Sequence, residues 1–305
     1  MRAWLPYASM EEAERLAGPL PDGVEIDLFR GPARGWPDSI GEVEFYVLPY
    51  MLGTTALDRV GEMASLRVVQ AQTAGYENIA PLIPEGVTLC NAAGVHDTAT
   101  AELAIALALA SGRRIGEYAR DQASGTWDPQ WGRSIADQRI LIVGHGRIGK
   151  AIEARLAGFE TASITRVASR ARPGVHGVDE LDELLPDADV VFLIAPHTPQ
   201  TDRLFDAARL ARMPDGALLV NVSRGPLVDT AALTAETASG RLRAALDVVD
   251  PEPLPSEHPL WRTDGVLLTP HVGGAASSFP PRIGRLIGTQ LRAFAAGEPL
   301  LNVVN

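Results

Sequence analysis

LIVGHGRIG, residues 141–149, decides the fold. An apolar run, RILIV (139–143), reads as a strand and ends on Gly144. The spacing Gly144-His145-Gly146-Arg147-Ile148-Gly149 is G-x-G-x-x-G, and RIGKAIEARLAGF (147–159) continues it as a helix. Strand, glycine turn and helix in that order are the context in which this spacing carries meaning. The first glycine permits a tight turn, the second lets a pyrophosphate approach the backbone, and the third lets helix and strand pack closely. The helix N-terminus then faces the phosphates with its unpaired N–H groups. The turn therefore predicts a dinucleotide site.

Further apolar runs follow at 162–167, 189–195, 217–222, 243–248 and 266–269. With 139–143 they make six strands of the kind buried on both faces. Separated by helical or irregular segments, they predict an α/β fold with a doubly wound parallel sheet. Residues 1 to about 94 form a smaller α/β unit. VEIDLF (24–29), EFYVLP (44–49) and LRVVQAQ (66–72) read as its strands. SMEEAERLA (9–17) reads as a helix, with Ser9 as N-cap and Glu12 completing a capping box. LGTTALDRVGEM (52–63) reads as a second helix. TATAELAIALALASGRRIGEYAR (98–120) reads as one long buried helix leading into the second part, and the tail from 279 ends in a helix stopped by Gly297.

Composition narrows the function. The net charge of -11 argues against nucleic-acid and anionic-membrane partners. Cys90 is the only cysteine, which excludes an intrachain disulfide and suggests a reducing, cytoplasmic setting. The N-terminus lacks the apolar run of a signal peptide, and LAIALALA is too short to span a bilayer. Lys150 is the only lysine, so Schiff-base chemistry and a Walker-type phosphate lysine have almost no candidate. No metal site is expected.

The second strand of the large sheet bears on the cofactor. An NAD site commonly places an acid there, about 20 residues past the glycines, to bond the ribose 2′-OH. Here the strand runs into Ala168-Ser169-Arg170-Ala171-Arg172. A guanidinium can hold a 2′-phosphate that a carboxylate would repel. Ser169, Arg170 and Arg172 thus favour NADP, with NAD as the alternative.

Ligands of such sheets bind outside the carboxyl ends of the strands. Arg224 follows the fourth run, Asp247 and Glu252 follow the fifth, and His271 follows the sixth. Nicotinamide chemistry is hydride transfer, and reducing a carbonyl also needs a proton. A histidine supplies it near neutral pH, a carboxylate beside it favours the charged ring, and an arginine can bind a carboxylate and polarise a carbonyl. Arg224, Glu252 and His271 are the candidate catalytic set.

At this point the motifs VGHGRIGKAI, APHTPQT, GALLVNVSRGPLVDTAAL, LDVVDPEPLPSEHPLW and LLTPHVGG resemble those of the D-isomer-specific 2-hydroxyacid dehydrogenase family. The resemblance implies Arg224, Glu252 and His271 as catalytic residues and Asp247 as the acid that orients the nicotinamide carboxamide. It adds Pro196, His197, Thr201, Val222 and Ser223 to the cofactor residues of the glycine turn. It implies a flavodoxin-like substrate domain of residues 1–96 and 274–305, a Rossmann cofactor domain of 97–273, and a homodimer formed through the cofactor domains. The loop TAGYEN (73–78), with Ala74 and Gly75, would offer N–H groups to a substrate carboxylate, and Tyr50 and Met51 are candidate pocket residues. The chain departs from the family where Gly75 is followed by Tyr76-Glu77-Asn78 rather than aspartate, and where His197 replaces a common leucine. The implied activity interconverts a 2-oxo acid and its (R)-2-hydroxy acid, with glyoxylate or hydroxypyruvate as the type substrate. A dinucleotide-sensing binding protein and a dehydrogenase of another small acid, such as phosphite or formate, are the alternatives.

Overall fold

A computed structural model describes residues 1–305. The chain divides into two compact units: residues 1–96 with 276–305, and residues 97–275. The return to the first unit falls two residues later than the sequence motifs suggested.

The first unit holds a five-stranded parallel sheet of β1 (Arg2–Leu5), β2 (Glu25–Leu28), β3 (Phe45–Val47), β4 (Val68–Gln70) and β5 (Thr88–Cys90). Its order, β2-β1-β3-β4-β5, is the flavodoxin-like one. Side chains alternate along β1. Trp4 packs with Phe29 and Tyr46 on one face, while Ala3 and Leu5 face the helices. α1 (Met10–Ala17) begins at Ser9, whose Oγ accepts from Glu12 N, and Glu12 reaches back to Ala8 N. α8 (Phe279–Ala296) packs on α1 so closely that a Cβ on Gly288 would lie 1.9 Å from Ala17 O. The helix expected over 52–63 is instead two 3-10 turns, Gly53–Leu57 and Val60–Glu62. Two glycines and three β-branched residues in twelve positions lower its helix propensity.

The second unit holds seven parallel strands, one more than expected: β6 (Arg139–Val143), β7 (Ser163–Ala168), β8 (His176–Gly177), β9 (Val190–Leu193), β10 (Leu218–Asn221), β11 (Arg243–Leu246) and β12 (Val266–Leu268). Their order is β12-β11-β10-β9-β6-β7-β8. Leu141 and Val143 enter one core layer, Ile140 and Ile142 the other, so β6 is apolar throughout. The order reverses between β6 and β9, which opens the switch-point crevice at their carboxyl ends. The helix expected over 98–120 is broken into α2 (Asp97–Gly112) and α3 (Ile115–Ser124). Arg114 adopts a left-handed conformation at the break, φ +57°. A Cβ on Gly112 would lie 2.7 Å from Arg133 O, so the strap at 125–134 closes on the end of α2. α4 (Arg147–Leu156), α5 (Leu181–Leu184), α6 (Ala207–Arg212) and α7 (Thr230–Ala238) complete the unit. No helix is long and apolar enough to cross a membrane.

Candidate active site

The loops after β10, β11 and β12 bring the acid–base candidates together. His271 Nδ1 lies 2.5 Å from Oε1 of Glu252. A carboxylate can only accept, so Nδ1 carries the proton and Nε2 is the atom left for substrate. The hydrogen bond to Glu252 raises the His271 pKa above its ordinary value. Burial and the nearby Arg224 guanidinium oppose this. His271 sits at φ +53°, a conformation that costs a non-glycine residue about 1–3 kcal/mol unless its surroundings hold it.

Asp247 provides that hold. It is 2% exposed. Its Oδ1 accepts from Thr269 Oγ1 at 2.6 Å and Val272 N at 2.8 Å, and its Oδ2 accepts from Gly273 N at 2.8 Å. Its backbone oxygen accepts from His271 N. Both carboxylate oxygens therefore serve the loop that carries His271.

Asn221, which the motifs did not single out, does the same for Arg224. It is buried at the end of β10, accepts from Ser223 N and Oγ, and donates from Nδ2 to Arg224 O. The signal was present as a polar residue inside the apolar run ALLVNV. A Cβ on Gly225 would lie 1.9 Å from Val249 O, so only glycine lets the Arg224 loop meet the segment leading to Glu252.

The glycine turn fits a pyrophosphate. Gly144 has φ +109°, and a Cβ there would lie 2.5 Å from Ile194 C. A Cβ on Gly149 would lie 2.4 Å from Gly144 O, whereas Gly146 faces open space. No side chain caps the N-terminus of α4. Within the turn, Arg147 pairs with Asp97 and Ile148 packs on the core. The His145 side chain turns inward, with Nε2 2.6 Å from Glu153, which also binds Arg166. Only its backbone is thus left for a cofactor.

Beyond β7, Arg172 donates to His145 O at 2.8 Å, which fixes it over the turn. Residues 172–175 close a tight turn through Gly174, and Ser169 and Arg170 are exposed beside it. After β9, Thr201 donates to Pro196 O and His197 pairs with Asp202 inside their own loop. Val222 and Ser223 are buried at the end of β10.

In the first unit, the loop after β4 is tied by Thr73 Oγ1 to Gly75 O and by Asn91 Nδ2 to Ala74 O. Tyr50 packs on Phe279, with ring centroids 4.3 Å apart, and Phe279 stacks on His96. Met51 is exposed at φ +63°.

A crevice built for pyrophosphate, with an oriented imidazole and a guanidinium held at neighbouring strand ends, defines a dinucleotide-dependent oxidoreductase. Residues 105–273 match the family described as D-isomer specific 2-hydroxyacid dehydrogenase, NAD binding domain, and the chain belongs to that family. It is 35% identical to a glyoxylate reductase of Korarchaeum cryptofilum, over 98% of this chain and 95% of that one. Its fold is similar to a D-isomer specific 2-hydroxyacid dehydrogenase from Xanthobacter autotrophicus solved with NADPH and MES. The TM-score is 0.81, with 28% identity over 100% and 98% of the two chains. It is also similar to an NADPH-dependent glyoxylate/hydroxypyruvate reductase from Sinorhizobium meliloti solved with NADP and malonate. There the TM-score is 0.81, with 26% identity over 99% and 96%.

Proposed function

We propose that the protein reduces a small 2-oxo acid of the glyoxylate or hydroxypyruvate type to its 2-hydroxy acid, R where the carbon is stereogenic, and prefers NADPH. The observation that carries this reading is the His271–Glu252 pair, with Nδ1 committed to the carboxylate and Nε2 left over. Bound NADPH supplies the hydride for the carbonyl carbon. The Arg224 guanidinium binds the substrate carboxylate and polarises the adjacent carbonyl. His271 Nε2 gives its proton to the carbonyl oxygen, while Glu252 stabilises the imidazolium beforehand. In oxidation the same nitrogen takes the hydroxyl proton. Asp247 and Asn221 hold the two loops in register. Ala74, Gly75, Tyr50 and Met51 of the first unit are the candidate substrate contacts of this reading, Ala74 and Gly75 through their backbone N–H groups.

Ser169, Arg170 and Arg172 support the NADPH preference, since no carboxylate stands at the end of β7 to bond a free ribose. A homodimer through the cofactor unit is part of this reading, and the exposed Trp127 and Trp131 of the strap after α3, 95% and 100% accessible, support it. A cytoplasmic setting fits the single free, buried Cys90.

The test is a panel of 2-oxo acids, phosphite and formate with each cofactor. Fastest turnover of glyoxylate or hydroxypyruvate with NADPH is expected. NADPH binding without turnover of any 2-oxo acid would overturn the reading.

A further inference from the structure

A second cluster of arginines lies at the amino ends of the strands of the large sheet. There the first residues of β9, β10 and β11 (Val190, Leu218 and Arg243) meet the end of α2. A shallow, solvent-open cleft is lined by Ala108, Leu109, Arg133, Ser134, Ile135 and Arg243, among others. Arg243 donates from Nε to Gly216 O at 3.2 Å and forms no ion pair. Arg133 lies against the same glycine: a Cβ on Gly216 would be 2.2 Å from its guanidinium. Nearby carboxylates are engaged elsewhere. Both Asp189 oxygens bind Arg139, and Asp215 leans toward Arg241. Burial and the Arg133 charge push Arg243 down to about 10, so Arg243 remains a cation at neutral pH. The C-terminus of α2 offers roughly half a negative charge against these two positive ones.

We infer that this cleft binds a small oxyanion, a phosphate or a carboxylate, between Arg133 and Arg243. Two guanidiniums suit the charge of such a group, and Asp189, whose charge Arg133 feels, is hydrogen-bonded to Arg139 instead. The site is independent of the cofactor crevice, which lies at the other ends of the strands.

The test is calorimetric titration of the full-length protein, saturated with NADPH, with inorganic phosphate and separately with acetate, at constant ionic strength. Saturation with NADPH removes the cofactor crevice as a competitor. Binding of at least one of the two anions is expected, and which one binds tells phosphate from carboxylate recognition. Arg133→Ala, at an exposed position that leaves the fold intact, should weaken that binding at least tenfold. Arg243→Met should do so too, and Arg15→Ala, on the exposed face of α1, should not. Binding of neither anion, or equal binding in Arg133→Ala, overturns the inference. So does conversion of Arg133→Ala to monomers with no anion binding in the wild type, because the pair would then seat an acidic side chain of a second copy.

Discussion

Asp247→Asn separates two roles for one residue. The substitution keeps size and removes charge. If the amide oxygen takes the Oδ1 position, it still accepts from Thr269 and Val272, but the amide NH2 then faces the Gly273 N–H, which lies 2.8 Å from Oδ2 in the native site. Flipping the amide sets the NH2 against the Val272 N–H instead, so neither orientation pairs every donor. A buried donor left unpaired costs about 1–3 kcal/mol. Taking ~2 kcal/mol, and about 2–4 °C per kcal/mol for a unit of this size, Tm should fall by about 4–8 °C. The left-handed His271 backbone loses part of its hold, and about 1.4–2.8 kcal/mol of misplacement lowers kcat ten- to a hundredfold. Thermal unfolding, NADPH binding and steady-state kinetics on the one variant read all three quantities. Native Tm and kcat with a weakened NADPH affinity would refute the clamp and leave Asp247 as a contact to the carboxamide.

Three further outcomes follow from the same geometry. Reduction needs protonated His271, and Glu252 raises its pKa. In Glu252→Gln the fall of the reduction rate with rising pH should therefore begin at lower pH than in the wild type, which a pH–kcat/KM profile reads. Arg224→Lys keeps the charge but loses the planar fork, so kcat/KM should drop at least tenfold, since each charge-assisted bond lost is worth about 1.5–3 kcal/mol. Changing Arg170 and Arg172 together to alanine should raise the KM for NADPH and leave NADH nearly unchanged. Equal losses for both cofactors would reduce the two arginines to surface charges.

Much of this was legible in the sequence because the large sheet is buried on both faces, and its strands read as uninterrupted apolar runs. The glycine turn and the strand-end residues then follow from topology. The strands of the first unit were harder. β1 is four residues beginning with Arg2, and β5 is three, too short to show alternation. β8, two residues at a sheet edge, carries no periodicity at all. The break between α2 and α3 was hidden because Arg113 and Arg114 are good helix formers. It is the strap from 125 to 134, distant in sequence, that ends α2. The clamping roles of Asn221 and Asp247 depend on hydrogen bonds to loops, which spacing alone does not reveal.

The return of the chain to its first unit also orders its birth. β5 is completed from the far end: Val304 N donates to Leu89 O, and Asn305 binds Leu89 N and Val87 O. Gln290 of α8 is buried against Gln70 of β4. None of these partners has been translated when residues 1–96 leave the ribosome. Until they are made, the sheet of the first unit lacks these hydrogen bonds. In synthesis from N- to C-terminus, residues 97–275 can therefore close their core while the first unit still lacks these partners, against the usual N-to-C sequence of domain folding.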